Sequence, residues 1–407
     1  MLCGGRGERL RPITDQLPKP MALVNGRPFL FYLLHQLSTY EIKRFVLLTG
    51  YLGELIRDYF GDGSQWGWQI TYSHRPAEWE TASRLFEVID GLDEKFLLLY
   101  SDNFAQLRLN ELFNACSEHQ SAIALSIAEK LSGNIEVDSN GQVFNYDTLR
   151  SSENLNFVEI GYSLIVKSRV SLSLSRFANE SFTEVLKDLV NQKNVSSVQV
   201  KTGYESISDP KRLAVTSEYL KPKKILLLDR DGTLNEKSLP GEYVNSVDEF
   251  SWIESSRNAL RVLASNGFSF IVITNQAGVS LGKTRVKDLE EIHHQLRTDF
   301  GADQLNLLDI YVCSDHWSST SEFRKPKPGM FFAAARDHKF RLDQTIYVGD
   351  DIRDGIASGN AGCKSVLISS GFSNEILDES VLEVRDSLFD LVPTILRTYE
   401  RWADFAL

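Results

Sequence analysis

Short apolar runs alternate with amphipathic stretches along almost the whole chain. Phe45–Leu48 (FVLL) precedes a helical pattern from Leu52 to Phe60, and Phe96–Tyr100 (FLLLY) precedes another from Leu107 to Cys116. Ile225–Leu228 (ILLL), Phe270–Ile273 (FIVI) and Ile346–Val348 (IYV) repeat the scheme, each followed by a loop and a helix-like segment. Continuous apolar runs of this length suit strands covered on both faces. Their alternation with helices predicts parallel α/β sheets. Near the C-terminus, Leu377, Val381, Val384, Leu388 and Leu391 recur at steps of four and three. That spacing predicts helices over 374–407, with the stripe packed on the core. The polar stretch Lys221-Pro222-Lys223-Lys224 interrupts the pattern. It predicts a boundary between one domain over 1–220 and a second over 221–407.

Length agrees with that division: 407 residues suffice for two or three domains at roughly 100–200 residues each. No period of about 20–50 residues recurs, which argues against a repeat protein. Apolar residues at 42% and charged residues at 24% are ordinary for a globular protein. The formal charge of −11 is evenly divided, with 22 basic against 27 acidic residues in 1–220 and 22 against 28 beyond. Without a basic stripe, nucleic-acid binding is not expected. No apolar run approaches the roughly 18 residues of a membrane span, and the N-terminus lacks a signal-peptide core. Cys3, Cys116, Cys313 and Cys363 are far apart and form no C-x-x-C pair, which fits free thiols in a reducing cytoplasm. Homo-oligomeric assembly is left open by the sequence.

The second half carries the sharpest chemistry. Leu228-Asp229-Arg230-Asp231-Gly232-Thr233-Leu234-Asn235 directly follows an apolar strand. Both carboxylates therefore project from the C-terminal edge of a sheet, where open α/β folds bind ligands. Two aspartates at i and i+2 can divide labour, one attacking phosphorus and the other handling the leaving-group proton. Three further segments complete a phosphotransfer set. Thr274-Asn275-Gln276 offers a hydroxyl and amides for phosphate oxygens. Lys325, in Arg324-Lys325-Pro326-Lys327-Pro328-Gly329-Met330, offers a cation. Gly349-Asp350-Asp351-Ile352-Arg353-Asp354 offers carboxylates for Mg²⁺.

Together these residues resemble the haloacid dehalogenase-like (HAD) phosphatase superfamily. LDRDGTLNE, ITNQAGVSLG, RKPKPGM and VGDDIRDG resemble its branch of histidinol-phosphate and heptose-bisphosphate phosphatases, over about residues 222–370. The resemblance implies a Rossmannoid fold, Asp229 as phosphorylated nucleophile and Asp231 as general acid/base. It implies Asp229, Asp231 and Asp350 around Mg²⁺, with Asp354 in support. Thr233, Tyr243, Thr274, Asn275, Arg324 and Lys325 would meet the substrate. The branch often carries a C-x-H…C-x-C zinc loop. Here only Cys313 and His316 stand in that stretch, fewer than the four ligands of a structural site. Zinc is not expected.

The first half opens on Gly4-Gly5-Arg6-Gly7-Glu8-Arg9-Leu10-Arg11-Pro12, then Pro18-Lys19-Pro20-Met21. A glycine-rich loop lets backbone N–H groups approach phosphate oxygens, and Arg9 and Lys19 add cations. With the P-K-P-M segment, this stretch resembles the sugar-1-phosphate nucleotidyltransferases, over about residues 1–215. The resemblance implies a Rossmann-like domain of the GT-A type. Gly4, Gly5 and Gly7 would cradle an NTP, with Arg9 and Lys19 balancing charge and Asp102 holding Mg²⁺. Glu80 and Thr81 stand where the family contacts base and sugar, and Glu159 and Gly161 stand in its sugar-binding segment. Three departures are visible. The chain begins almost at the glycine loop, which shortens the first strand. Glu8 replaces a Ser/Thr, and Ser206 replaces the second metal aspartate, with Asp209 at the wrong offset.

The expected protein is a bifunctional α/β enzyme of nucleotide-sugar synthesis, acting on sugar phosphates and an NTP. One unit would dephosphorylate a sugar bisphosphate, in a heptose 1,7-bisphosphate pathway, and the other would join the 1-phosphate to a nucleotide, GTP by resemblance. Two alternatives stand beside it. In one, only the phosphatase works and the first domain is a binding or regulatory module. In the other, the protein is a non-enzymatic scaffold that holds sugar phosphates.

Overall fold

The computed structural model describes residues 1–152, 154–239, 241–369 and 377–406. The chain divides into two compact units, Met1–Leu220 and Lys221–Leu407. No helix among the described residues is long and apolar enough to cross a membrane.

The second unit is built on a six-stranded sheet in the order Asn306–Cys313, Ser269–Asn275, Ile225–Leu228, Ile346–Gly349, Lys364–Ile368, Val381–Arg385. Every neighbouring pair is parallel. The first strand in sequence lies near the centre, and its side chains explain why: Leu226, Leu227 and Leu228 are all fully buried. Each such leucine contributes about 1.5–3 kcal/mol on burial. From Ile225–Leu228 the chain builds outward to one edge, then returns to the other side with Ile346–Gly349. These two adjacent strands therefore flank a topological switch point, and their C-terminal ends open a crevice.

The C-terminal stretch differs from the periodic reading. Val381–Arg385 is not helical but an edge strand, parallel to Lys364–Ile368. Its β-branched valines find a ladder partner there, and the helix starts only at Leu388. Ser387 marks that start, its Oγ accepting from the Asp390 N–H at 3.3 Å. The stripe then continues as expected, with Leu388, Leu391 and Ile395 fully buried. Leu377 is irregular, and residues 374–376 lie outside the described residues.

The first unit is α/β but its main sheet is mixed. Phe157–Val166 runs antiparallel to both Ile123–Glu129 and Lys95–Leu99, while Val195–Gln199 is parallel to Ile123–Glu129. Gly161, at φ +78°, breaks the register between Glu159 and Ser163, and a side chain there would meet the Tyr100 ring at 2.7 Å. A smaller parallel sheet joins Leu2–Cys3, Arg44–Thr49 and Gln69–His74.

Candidate active sites

In the second unit the crevice is furnished by the two central strands. Asp229 follows Ile225–Leu228, and its N–H donates to the Val348 carbonyl at 2.8 Å. Asp350 follows Ile346–Gly349. The turn between them requires glycine: Gly232 has φ +84°, and an added Cβ would lie 2.1 Å from Asp350 Oδ2. Lys325 comes from a separate loop and is 7% exposed. Its Nζ lies 2.8 Å from Asp229 Oδ1, 2.9 Å from Asp354 Oδ1 and 2.5 Å from the Tyr347 hydroxyl. Asn275 holds that loop by both ends of its amide, donating to the Lys325 carbonyl and accepting from its N–H, each at 3.1 Å.

Three carboxylates around one ammonium set the electrostatics. Burial pushes Asp229 up to about 7, with Asp354 and Asp350 adding to the rise and Lys325 opposing it. Burial opposes the charge on Lys325, but Asp229 and Asp354 outweigh it and hold the ammonium form. Burial also raises Asp350, against the pull of Lys237, whose Nζ lies 2.6 Å from Asp350 Oδ2. Carboxylate oxygens of Asp229, Asp350 and Asp354 lie within 4.8 Å of one another. Hard oxygen donors gathered this closely fit a cation such as Mg²⁺. Asp354 is the least available of the three. It accepts from Lys325, from Tyr347 at 3.2 Å and from the N–H groups of Asp350 and Asp351, each at 3.2 Å.

The Asp231 carboxylate does not join that group. It is drawn the other way, to Arg230 Nη2 at 2.8 and 2.9 Å, Asn235 Nδ2 at 3.0 Å and Gln276 Nε2 at 2.7 Å. Burial would raise its pKa, but Arg230 and these donors outweigh it and hold the group as a carboxylate. Thr233 is displaced from the expected set. It is fully buried, its Oγ1 has no hydrogen-bond partner among the described atoms, and it does not line the cleft.

The cleft measures about 380 Å³ and is lined by Asp229, Asp231, Tyr243, Thr274, Asn275, Arg324, Lys325 and Asp350, with Lys237 and Arg353 beside them. Thr274 presents a hydroxyl that accepts from Gln276 Nε2 at 3.0 Å. Cys313 is buried and His316 Nδ1 faces Ser318 Oγ at 2.7 Å. Arg230, His293, Tyr347 and Lys237 escaped the sequence reading. Only Tyr347 carried a signal, as the polar member of the IYV strand; the other three contacts are made by the fold.

In the first unit the glycine loop is stitched from below. Thr14 Oγ1 donates to the Gly7 carbonyl at 3.0 Å, and the Arg84 guanidinium fills the space beneath Gly4, where a Cβ would lie 2.5 Å from Arg84 Cζ. Arg84 donates to the carbonyls of Thr49, Arg75, Pro76 and Trp79. Gly5 and Arg9 are exposed. Lys19 Nζ pairs with Asp102 Oδ2 at 2.7 Å, so these two predicted residues do meet. Ser206 pairs across strands with Asn103, and its Oγ accepts from Arg212 Nη1 at 3.0 Å. Asp209 caps the helix Pro210–Tyr219. Glu80 is exposed at the head of the helix Thr81–Val88, and Thr81 Oγ1 accepts from the Phe182 N–H at 2.7 Å. Glu159 is enclosed with Tyr100 and Tyr146, and burial raises its pKa against their hydrogen bonds.

Comparison with known proteins finds a different family in each half of the chain. Residues 1–146 match the family model Nucleotidyl transferase, and residues 224–361 match Polynucleotide kinase 3 phosphatase. Over 182 residues the chain is 34% identical to the D-glycero-beta-D-manno-heptose-1,7-bisphosphate 7-phosphatase of Haemophilus ducreyi, spanning 42% of this chain and 98% of that protein. Over 141 residues it is 33% identical to the "Probable glucose-1-phosphate cytidylyltransferase" of Bacillus subtilis, spanning 30% of this chain and 54% of that protein. A crystal structure of D,D-heptose 1,7-bisphosphate phosphatase from B. bronchiseptica, with magnesium and phosphate, aligns at TM-score 0.40 and 28% identity, covering 43% of this chain and 98% of that one. The chain is thus a fusion of a nucleotidyltransferase-family domain with a HAD phosphatase, and through its second half it belongs to the heptose-1,7-bisphosphate 7-phosphatase family.

Proposed function

We propose that the second unit removes one phosphate from a sugar bisphosphate of the heptose 1,7-bisphosphate class, and that the first unit transfers a nucleotidyl group, from GTP in our reading, to the remaining sugar 1-phosphate. The observation that carries this reading is the buried Lys325 between Asp229 and Asp354, with Asp231 held apart on the same cleft. In the first step Asp229 Oδ attacks phosphorus, the bond to the sugar oxygen breaks, and Asp231, which takes up a proton from solvent before that step against the pull of Arg230, supplies the proton that oxygen needs. In the second step water attacks the aspartyl-phosphate and gives its proton to Asp231, which restores both aspartates. Lys325 and the Thr274 hydroxyl balance and orient the phosphoryl oxygens. Asp229 and Asp350 would hold Mg²⁺, whose chemistry there is to offset repulsion between an anionic nucleophile and an anionic phosphate. In the first unit the glycine loop, Arg9 and Lys19 would take the triphosphate, with Asp102 as the carboxylate for Mg²⁺.

A second reading has the first unit bind nucleotide or sugar phosphate without turnover. The Lys19–Asp102 pair and the Ser206–Arg212 contact favour it, because the region offers a cation where a second carboxylate is expected. The deciding experiment incubates the full chain with a panel of sugar bisphosphates, each of four NTPs and Mg²⁺, and resolves products by mass. Phosphate followed by pyrophosphate and a nucleotide sugar supports the bifunctional reading. Phosphate without pyrophosphate in any combination leaves the second reading, and release of neither rejects both.

A further inference from the structure

We propose that His293, acting through Arg230, is a positioning residue that orients the Asp231 carboxylate for proton transfer in the second unit. The inference rests on the phosphatase reading above.

Arg230 is fully buried, although it carries a permanent charge. Its donors are divided between two partners. Nε and Nη2 grip Asp231 at 3.1, 2.8 and 2.9 Å, and Nη1 points to His293 Nε2 at 3.2 Å. A guanidinium has only donors, so His293 must accept at Nε2 and carry its proton on Nδ1. The imidazole is therefore neutral, and burial, followed by the Arg230 charge, depresses its pKa to about 4.

The geometry needs such a stop. Arg230 sits in the bend that leads into the Gly232 turn and folds back onto Asp231, the residue next to it. His293 stands behind the guanidinium on the helix Val286–Ala302 and does not line the cleft. It fixes the one N–H group of Arg230 that points away from Asp231. Asn235 and Gln276 hold the same carboxylate from other sides. Loss of His293 should therefore misalign Asp231 rather than release it.

The test compares two leaving groups in the full-length protein. An alkyl phosphate, such as the sugar bisphosphate, leaves as an alcohol and needs the proton of Asp231. p-Nitrophenyl phosphate leaves as a stable phenolate and does not. The readout is kcat/KM, which covers the steps up to departure of the alcohol or phenol. For His293→Leu we expect roughly a ten- to hundredfold fall on the alkyl phosphate and less than about a threefold fall on the aryl phosphate. His293→Gln, whose amide oxygen can accept from Arg230, should recover most of the difference. Equal losses on both substrates mark a merely structural residue and overturn the proposal, as does no loss on either. If His293→Leu does not fold, His293→Asn replaces it, being one methylene shorter than Gln, and the same split is required. Wild-type protein inactive on both esters overturns the phosphatase reading itself, a result distinct from the others.

Discussion

Lys325 is the buried ammonium on which two carboxylates depend, and its removal would leave Asp229 and Asp354 enclosed without a counter-charge. Stripping one partner from a buried charged group costs about 3–5 kcal/mol. Lys325→Met is therefore expected to lower the unfolding midpoint measurably in calorimetry as well as to abolish phosphate release. Asp229→Asn separates the two effects. It should reduce phosphate release by at least about a thousandfold with a smaller loss of stability, since Asn keeps the shape of Asp and Lys325 keeps Asp354 as a counter-charge. Much of this was legible in the sequence, because Asp229, Thr274 and Asp350 each stand at the end of an apolar run, and parallel sheets bring such ends together. Thr233 was misread because its place in the signature says nothing of which way it points. The direction of the Asp231 carboxylate was not legible, because Arg230, its neighbour, draws it away from the Asp229–Asp350–Asp354 group.

At the scale of elements, the helix Ile352–Ala361 is anchored by a reciprocal cap. The Asp351 side chain accepts from the Arg353 N–H at 2.9 Å, and Asp354 accepts from the Asp351 N–H. Asp351→Ala should cost about 0.5–2 kcal/mol, seen as a lower thermal midpoint, and should loosen Asp354 behind Lys325. The helix Val286–Ala302 carries a pH signature through His293. Its folded pKa of about 4 lies below the ordinary value of 6.5, so the unfolded chain binds the extra proton first. Stability is full above pH 6.5 and falls as pH drops toward 4, below which the penalty is constant. His293→Gln is expected to flatten that part of the stability profile, measured by denaturant unfolding from pH 4 to 7. The C-terminal elements show where periodicity runs out. Val381 and Val384 fit a helical stripe equally well, and only an open sheet edge beside Lys364–Ile368 decides for a strand.

For the molecule as a whole, each unit has its own buried clusters, around Phe29–Leu34 and Ile123–Leu125 in one and around Leu226–Leu228 and Phe270–Ile273 in the other. A fragment of residues 221–407 is therefore expected to fold, by circular dichroism, and to keep phosphate release within about threefold of the full chain. The two-unit division was readable from Lys221–Lys224 because a polar, Pro-containing stretch breaks an otherwise steady alternation. The mixed sheet of the first unit was not readable, because strand direction is set by the path of the connections and not by the residues of the strand. If the proposed polyanionic substrates are right, an acidic chain with a net charge of −11 must attract them locally, and Lys325, Arg324 and Lys19 are the cations proposed for that role.

The four cysteines gain a use from where the fold buries them. Cys3 and Cys116 lie inside the first unit, Cys313 and Cys363 inside the second, and all four are free thiols. A thiol reagent can reach them only through transient opening, so the rate at which each is modified is a clock for the local unfolding of its own surroundings. Peptide mapping after a labelling pulse would time both halves of one molecule at once. Cys313 is the most informative of the four, because its strand pairs with Asn275 and its carbonyl accepts from Gln276. Phosphate or a phosphate analogue that tightens the cleft should slow modification at Cys313 while leaving Cys3 and Cys116 unchanged.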